Sequence, residues 1–292
     1  MLGPLSIEHQ GKSNVPSAPK LRTVLAMLLI HSDQVVPVSS LVTDLWDELP
    51  PASGLTTLQT YVLNLRKYFA GVTGLSPTEV TKQILMTRPG GYLLHVEPNA
   101  LDMHRYDALV DSGLAALAGG NDEEGIADLD AALRTWRGPA LVDIATGRVL
   151  ASKALQLSES RLVTIEYMLD GELRLGRYRE VLSRLAALCA EYPLNERLHA
   201  QYMRALHLSG RRAQALQVFH RLRVALVDEL GLDPERGLQE LYSAILGVDD
   251  DARILTLTAR PAMLAGRGAP AALRIAHSPV RNVSTAHADV RP

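Results

Sequence analysis

The chain has few of the residues that build disulfide frameworks, thiolate metal sites or stacking platforms. One cysteine, Cys189, in 292 residues excludes an intramolecular disulfide and any site that needs several thiolates. Aromatic residues make up 4% of the chain, which disfavours a stacking surface for single-stranded nucleic acid. No apolar run approaches the roughly 20 residues of a membrane span, and the N-terminus lacks the features of a secretory signal. These absences predict a cytoplasmic protein.

An excess of charge of one sign is also missing. The chain carries 30 Lys and Arg against 32 Asp and Glu, a net charge of −2, so bulk charge does not favour nucleic-acid binding. By segment, residues 1–98 hold seven of each sign, residues 99–248 hold 17 cations against 21 anions, and residues 249–292 hold six against four. The near-neutral total therefore hides segments of different charge.

Motifs for catalysis and cofactor binding are missing too. No GxxxxGK[ST] phosphate loop and no HExxH pair is present. Cys189 lies between Leu188 and Ala190 in a helical pattern, which is typical of an inert core thiol. His199, His207 and His220 are spread over different predicted helices and are expected to be surface or capping residues. We therefore expect no enzyme activity, no cofactor and no metal site.

The first part of the chain mixes short extended stretches with helices. Two extended stretches around Gly11 predict a small hairpin, and a helical pattern starts at Pro19. A loop is predicted at HSDQVVPV. A short helix then follows, capped by Ser39 or Ser40 and ended by a Pro-Pro pair.

The remaining elements of residues 1–98 complete a recognisable plan. A third helix is predicted from about Gly54 to Ala70, followed by a loop over residues 71–77. The segment ILMTRPGGYLLHVEP then predicts two extended pieces around a Pro-Gly-Gly turn. A strand pair, three helices and a hairpin in this order are the plan of a winged helix-turn-helix.

The third helix has two distinct faces when it is plotted as a wheel. Its apolar members share one side and predict a buried stripe: Leu58, Val62, Leu65 and Phe69. The opposite side carries groups able to meet base edges and phosphates in a major groove: Thr56, Thr60, Asn64 and Lys67. Gln59 and Arg66 flank the stripe, and the outward Leu63 is placed for a thymine methyl or for the hairpin. A merely solvated helix face is the alternative, but the position between a Pro-Pro turn and a Gly-Gly hairpin favours DNA.

The hairpin that follows carries Arg88 at its tip. An arginine on such a wing fits the minor groove, where the negative potential favours a guanidinium. An ordinary exposed turn residue is the alternative interpretation of Arg88.

Residues 99–247 are predicted to be almost entirely helical. The candidate helices are 103–118, 122–136, 150–175, 178–191, 195–209, 212–230 and 235–246. Gly176 and Gly210 stand 34 residues apart in the related strings LGR and SGR, which is the period of a tetratricopeptide repeat (TPR). The pattern predicts TPR-like helical hairpins. Trp136, before an Arg-Gly-Pro turn, is expected in the core, and a polymerase-facing corner is the alternative.

The last segment, residues 248–292, is predicted to be a mostly disordered tail. Three aspartates follow Val248, and the segment contains four prolines and no aromatic residue, so it has little to bury. The alternation ILTLT at residues 254–258 leaves open a docked strand.

Several strings of this sequence together carry a resemblance to a known family. In the first part these are LGPLSI, PKLRTVLAMLLIHSDQVVPVSSLVTDLW, TLQTYVLNLRK and TRPGGYLL, and downstream they are ALRTWRGPALVDI and the stretch from YPLNERLHAQ to VDELGLDP. Together they resemble the Streptomyces antibiotic regulatory protein (SARP) family, and the downstream strings are similar to the family's bacterial transcriptional activation domain. The resemblance covers about residues 2–247. It implies an OmpR-type winged helix over 1–98 and a TPR-like activation domain over 99–247.

The resemblance also implies a function. Such a protein activates a secondary-metabolite gene cluster, binds direct repeats near promoters in double-stranded DNA as a homodimer, and recruits RNA polymerase holoenzyme including its sigma factor. It would act in the cytoplasm on the nucleoid. Carried over by position, the recognition-helix residues are Thr57, Gln59, Thr60, Asn64, Arg66 and Lys67, and the wing residue is Arg88. Leu63 stands where the family usually has serine, so no operator sequence is carried over. A TPR-type scaffold and a metabolite-gated DNA-binding repressor remain as alternatives.

Overall fold

The structure, a computed structural model, describes residues 1–9, 12–13, 15–47, 49–97, 100–247 and 251–257. Within these ranges no helix is both long enough and apolar enough to cross a membrane. The predicted hairpin centre at Gly11, the proposed boundary at residues 98–99, and residues 248–250 and 258–292 of the predicted tail lie outside the described residues.

The first part of the chain has the small hairpin and the first helix that the sequence predicts. Strands β1 (Glu8–His9) and β2 (Lys12–Ser13) pair antiparallel. Helix α1 (Pro19–Ile30) begins with proline, whose missing N–H costs nothing in the first turn of a helix. Its segment from Val24 to Leu29 is buried throughout, so α1 is the central helix of this part.

The predicted loop after α1 contains a strand, and the predicted caps of the next helix are wrong. Residues Val35–Pro37 form β3, which leads directly into α2 (Val38–Trp46). Pro37 occupies the N-cap position, so Ser39 and Ser40 lie inside the helix. The helix ends at Asp47, whose positive φ of 55° turns the chain before the Pro-Pro pair.

The third helix is longer than predicted. Helix α3 (Gly54–Thr73) continues through Gly71 and ends at Gly74, which adopts the left-handed conformation typical of a helix C-cap. The predicted loop beyond it holds a single helical turn, α4 (Pro77–Glu79), and a five-residue π-helix over Val80–Ile84. A reciprocal capping box between Ser76 and Glu79 starts this segment.

The wing is the two-stranded hairpin that the sequence predicts, joined by β3. Strands β4 (Leu85–Arg88) and β5 (Gly91–Leu94) are antiparallel, and the sheet order is β3-β5-β4. A Cβ on Gly91 would lie 2.1 Å from the Val36 carbonyl oxygen. Only glycine therefore allows the two strands to approach at this point.

The rest of the described chain is mostly helical, with a longer connection between Arg134 and Arg148. Its helices are α5 (Asp102–Ala118), α6 (Asp122–Arg134), α7 (Arg148–Arg174), α8 (Tyr178–Glu191), α9 (Glu196–Leu208), α10 (Arg212–Leu230), α11 (Arg236–Gly247) and α12 (Asp251–Thr256). The strand considered for residues 254–258 is wrong, because Ile254 is buried as part of α12. The predicted fold class, mainly α with a winged helix followed by TPR-like helices, is confirmed.

The two glycines of the 34-residue period end their helices in the same way. Gly176 follows α7 with φ 75°, and Gly210 follows α9 with φ 83°. In both turns the next amide returns to a carbonyl five residues earlier, Arg177 to Glu172 at 3.1 Å and Arg211 to Leu206 at 2.8 Å. This is the Schellman pattern of helix termination.

The buried core is continuous across residue 98. One cluster combines the side chains of α1 to β5 with Trp136, Leu141 and the first half of α7. A second cluster begins at Leu162 in the second half of α7 and extends to Ile254. The 27-residue α7 therefore belongs to both cores. The division into residues 1–98 and 99–247 stays a prediction.

A buried ionic cluster lies inside the second core. The Asp170 carboxylate of α7 accepts from Arg204 at 2.6 Å and from Gln201 at 2.9 Å, both on α9. Arg204 is 1% exposed and also donates to the Leu255 carbonyl of α12 at 2.8 Å. The cluster thus joins three helices. Burial would raise the pKa of Asp170, but Arg204 and Arg197 outweigh burial and lower it.

Candidate nucleic-acid interface

Helix α3 is held by the apolar stripe that its periodicity predicts. Leu58 and Leu65 are fully buried, Val62 is nearly so, and Phe69 closes the stripe at the C-terminal end. Because side chains three and four residues apart share a helix face, this stripe leaves the opposite face of α3 in solvent.

The outward face of α3 brings five of the predicted residues together. They are all exposed: Thr56, Gln59, Thr60, Asn64 and Lys67. The Thr60 hydroxyl donates to the Thr56 carbonyl at 3.0 Å, which leaves its oxygen free to accept a hydrogen bond. Leu63 is 50% exposed on the same side. Thr57 is half-buried and borders this face.

Arg66 lies where α3 meets the wing. Its Nε donates to the Leu85 carbonyl oxygen at 3.0 Å, and its Nη2 donates to the Thr87 hydroxyl at 2.8 Å. Both acceptors belong to β4. In this arrangement the Arg66 guanidinium connects the helix to the wing, a role that the sequence did not indicate.

The wing presents Arg88 at its end. Arg88 is the last residue of β4 and is exposed, and Gly90 makes the turn with a φ of 79°. The Arg88 guanidinium donates to the Met86 sulfur at 3.1 Å, which is a weak acceptor. A phosphate could replace this contact with a stronger one.

The electrostatic surroundings of the helix and wing are weakly positive. Three exposed cations lie on these elements or between them: Lys67, Lys82 and Arg88. The nearest acid along the chain is Glu79, whose pKa is lowered by hydrogen bonds from the Ser76 hydroxyl and amide. Glu79 is therefore an anion at neutral pH and part of a helix start.

Cys189 and His199, which were considered from the sequence for reactive or metal-binding roles, are at least partly buried within the helical part of the chain. Burial raises the pKa of the Cys189 thiol to about 12, so the reactive thiolate is scarce at neutral pH. His199, predicted to be a surface or capping residue, is 8% exposed, so the surface alternative is wrong, and its Nδ1 bonds the Asn195 carbonyl oxygen at 2.9 Å. In the described ranges no three His, Cys, Asp or Glu residues could hold a metal ion.

Comparison with known proteins places the chain in a family. A family model for the bacterial transcriptional activator domain matches residues 101–246, which are half of the chain. The regulatory protein DnrI of Streptomyces peucetius is 44% identical over 249 residues, covering 85% of this chain and 92% of DnrI. The chain belongs to the SARP family of transcriptional regulators.

Two further relatives extend this assignment of the SARP-family chain. The transcriptional regulator RedD of Streptomyces coelicolor is 34% identical over 249 residues, covering 85% of this chain and 70% of RedD. A solved structure of Mycobacterium tuberculosis EmbR in complex with a low-affinity phosphopeptide matches with a TM-score of 0.81 at 35% identity. The match covers 88% of this chain and 68% of that chain.

Membership of the SARP family confirms the resemblance and gives the general function, which is transcriptional regulation. The family consists of transcriptional regulators rather than enzymes. The assignment of individual residues to DNA stays a prediction.

One residue of the candidate interface was missed. Thr87 of β4 accepts a hydrogen bond from Arg66 of α3 and so joins the wing to the helix. The alternation of side chains along a strand predicts that Leu85 and Thr87 share one face of β4. No local pattern predicts the hydrogen bond of Thr87 with Arg66, which lies 21 residues earlier in the chain.

Proposed function

We propose that this SARP-family protein activates transcription of a secondary-metabolite, antibiotic-type gene cluster. It binds direct repeats near promoters in double-stranded DNA as a homodimer and recruits RNA polymerase holoenzyme, including its sigma factor. The observation that carries the proposal is the exposed polar face of α3 beside a wing that ends in an exposed Arg88. Regulation of transcription by its relatives supports the same conclusion.

The proposed DNA contacts divide by chemistry. Thr56, Gln59, Thr60 and Asn64 offer hydroxyls and amides, which can read base edges in the major groove. Lys67 is suited to a phosphate and Arg88 to the minor groove. We assign Arg66 mainly to positioning of the wing, because its Nε and Nη2 donate to β4.

The test is a gel shift with promoter fragments of the neighbouring gene cluster, repeated across salt concentrations. Asn64→Ala should weaken binding by about 1–3 kcal/mol and relax base preference. Lys67→Ala should weaken binding to all sequences and lower the slope of log K against log salt by about 0.9. Arg236→Ala is the matched control, because it removes an exposed cation from α11, far along the chain from α3.

Activation is tested separately by transcription with purified holoenzyme. We expect more transcript from the repeat-containing promoter when the protein is present. Failure of the wild-type chain to bind any promoter fragment would favour a TPR-type scaffold. If the protein binds the promoter and lowers the amount of transcript, a repressor is favoured. If a pathway metabolite then restores transcription, the repressor is gated by that metabolite.

A further inference from the structure

The N-terminus of α7 has no cap of its own. The residue at its N-cap position is Gly147, which has no side chain to accept a hydrogen bond. The first amides of a helix have no partner within the helix, and Ser, Thr, Asp or Asn usually supplies one. The first turn of α7 therefore needs an acceptor from elsewhere.

That acceptor is Asp44 of α2. Its Oδ1 accepts from the Val149 amide at 2.8 Å and approaches the Leu150 amide at 3.4 Å. These amides belong to the second and third residues of α7, the positions that an N-cap side chain normally serves. Asp44 is 6% exposed. A carboxylate at this end also complements the helix dipole.

Gly147 is required for the same contact. A Cβ on Gly147 would lie 2.4 Å from the Asp44 carbonyl oxygen and 2.6 Å from the Asp44 Cα. Both are backbone atoms, so they cannot rotate away as a side chain could. The chain entering α7 therefore lies directly against the backbone of α2, with no room for a side chain between them.

Further contacts hold the same junction. The Thr23 hydroxyl of α1 donates to the Ala145 carbonyl oxygen at 2.9 Å, and Arg22 pairs with Asp143. Arg148 Nε lies 3.0 Å from Asp47 Oδ1 just after α2. The segment that leads into α7 is thus fixed by two helices of the winged helix-turn-helix.

Helix α7 transmits this attachment to the rest of the chain. Leu150 and Leu157 pack in the first core, while Leu169 and Leu173 pack in the second. Its 27 residues span about 40 Å at about 1.5 Å per residue. Helix α7 is buried in both cores and capped by α2, so it connects the two cores rigidly.

We propose that Asp44 is a positioning residue whose cap on α7 fixes the orientation of the helical domain relative to α3. Transcriptional activation depends on this link, while binding of α3 to DNA does not. The inference rests on the proposed function, because a fixed orientation matters only if one part binds DNA and the other contacts polymerase. Asp44 lies on α2 and outside the proposed DNA-contacting set.

The test compares three full-length variants. Asp44→Ala removes the cap, and Gly147→Ala places a methyl group against the α2 backbone. Asp44→Asn keeps a side-chain oxygen that can accept the hydrogen bonds from the Val149 and Leu150 amides. For the first two we expect promoter affinity within about two-fold of wild type and a fall in holoenzyme transcription of about five-fold or more, as for a coupling of about 1 kcal/mol. Asp44→Asn should restore most of the transcription.

Gly119→Ala is the matched control, since its Cβ would make only ordinary contacts at 3.5 Å. It should leave both DNA binding and transcription unchanged. Unchanged transcription in folded Asp44→Ala and Gly147→Ala would overturn the inference, as would a parallel loss of DNA affinity. If wild type neither binds nor activates, the proposed function itself fails.

If the variants do not fold, a measurement on the wild-type chain still tests the inference. Amide hydrogen exchange should show Val149 and Leu150 protected like the interior of α7, because Asp44 holds them. Exchange as fast as at an uncapped helix end would show that the link does not persist in solution and would overturn the inference.

Discussion

A cation of α3 can support DNA binding by contacting a phosphate or by positioning the wing. Replacement of Arg66 distinguishes these two roles. Its guanidinium donates to the Leu85 carbonyl and the Thr87 hydroxyl, so Arg66→Ala should release the wing from α3. Thr87→Val removes one acceptor and leaves every cation in place. If Arg66 acts through the wing, both variants should weaken promoter binding, and Thr87→Val should reproduce part of the effect.

The expected size follows from the contacts. A hydrogen bond to a charged group contributes about 1.5–3 kcal/mol. Because Arg66 is half-exposed and Thr87 is exposed, we take the loss in Thr87→Val as about 1 kcal/mol. That corresponds to roughly five-fold in Kd. Arg66→Ala loses both bonds and should exceed this effect.

The assay is a gel shift or fluorescence titration of promoter DNA at several salt concentrations. Lys67→Ala should lower the slope of log K against log salt by about 0.9, whereas Arg66→Ala and Thr87→Val should lower affinity with a much smaller change in slope. A full-size slope change in Arg66→Ala, together with wild-type affinity in Thr87→Val, would refute the wing-positioning role. If the Arg66→Ala, Lys67→Ala double variant binds normally, α3 is not the recognition helix.

Three further predictions concern the rest of the fold. Asp170→Ala leaves Arg204 buried without its carboxylate and should lower the free energy of unfolding by about 3–5 kcal/mol in chemical denaturation, against about 0–1 kcal/mol for Asp130→Ala, which removes a partly exposed ion pair with Arg134. Because the pKa of Asp170 is lowered in the folded chain, its contribution is complete above the unfolded carboxyl pKa and is lost as pH falls through the folded pKa. Cys189, with a pKa of about 12, should react with iodoacetamide at pH 8 far faster after denaturation than before; equal rates would contradict its burial. Trp136→Ala should cost about 3–5 kcal/mol, and an unchanged melting temperature would show that this side chain is not part of the core.

The helices were predictable because their signals are local. The turns at Gly176 and Gly210 could be recognised from a glycine after an amphipathic run, and both have the expected positive φ. The buried and exposed faces of α3 follow from a spacing of three and four residues. Such patterns need no knowledge of the partner helix, so their boundaries agree with the structure to within a few residues.

The features that sequence reasoning missed depend on distant partners. Strand β3 has three residues, too few to show an alternation, and it exists because β5 pairs with it. Helix α12 was considered as a strand because ILTLT alternates, but Ile254 and the Arg204 bond to Leu255 hold it against α9 as a helix. Asp44 as the cap of α7 joins residues 105 positions apart. No local pattern contains these pairings.

The winged helix-turn-helix has no net charge, and this affects how tightly one copy of the protein can bind DNA. Residues 1–98 hold seven cations and seven anions, and Arg22 and Arg66 are engaged within the fold. Lys67, Lys82 and Arg88 remain as exposed cations at α3 and the wing. Since sequence-independent affinity grows with the number of phosphates neutralised, we expect one copy with about three such contacts to bind DNA weakly at physiological salt. The proposed homodimer on adjacent repeats would double that number, and once one copy is bound the second would bind as if intramolecularly. If the proposed function is correct, the low local charge should therefore favour occupancy of paired DNA sites over single ones.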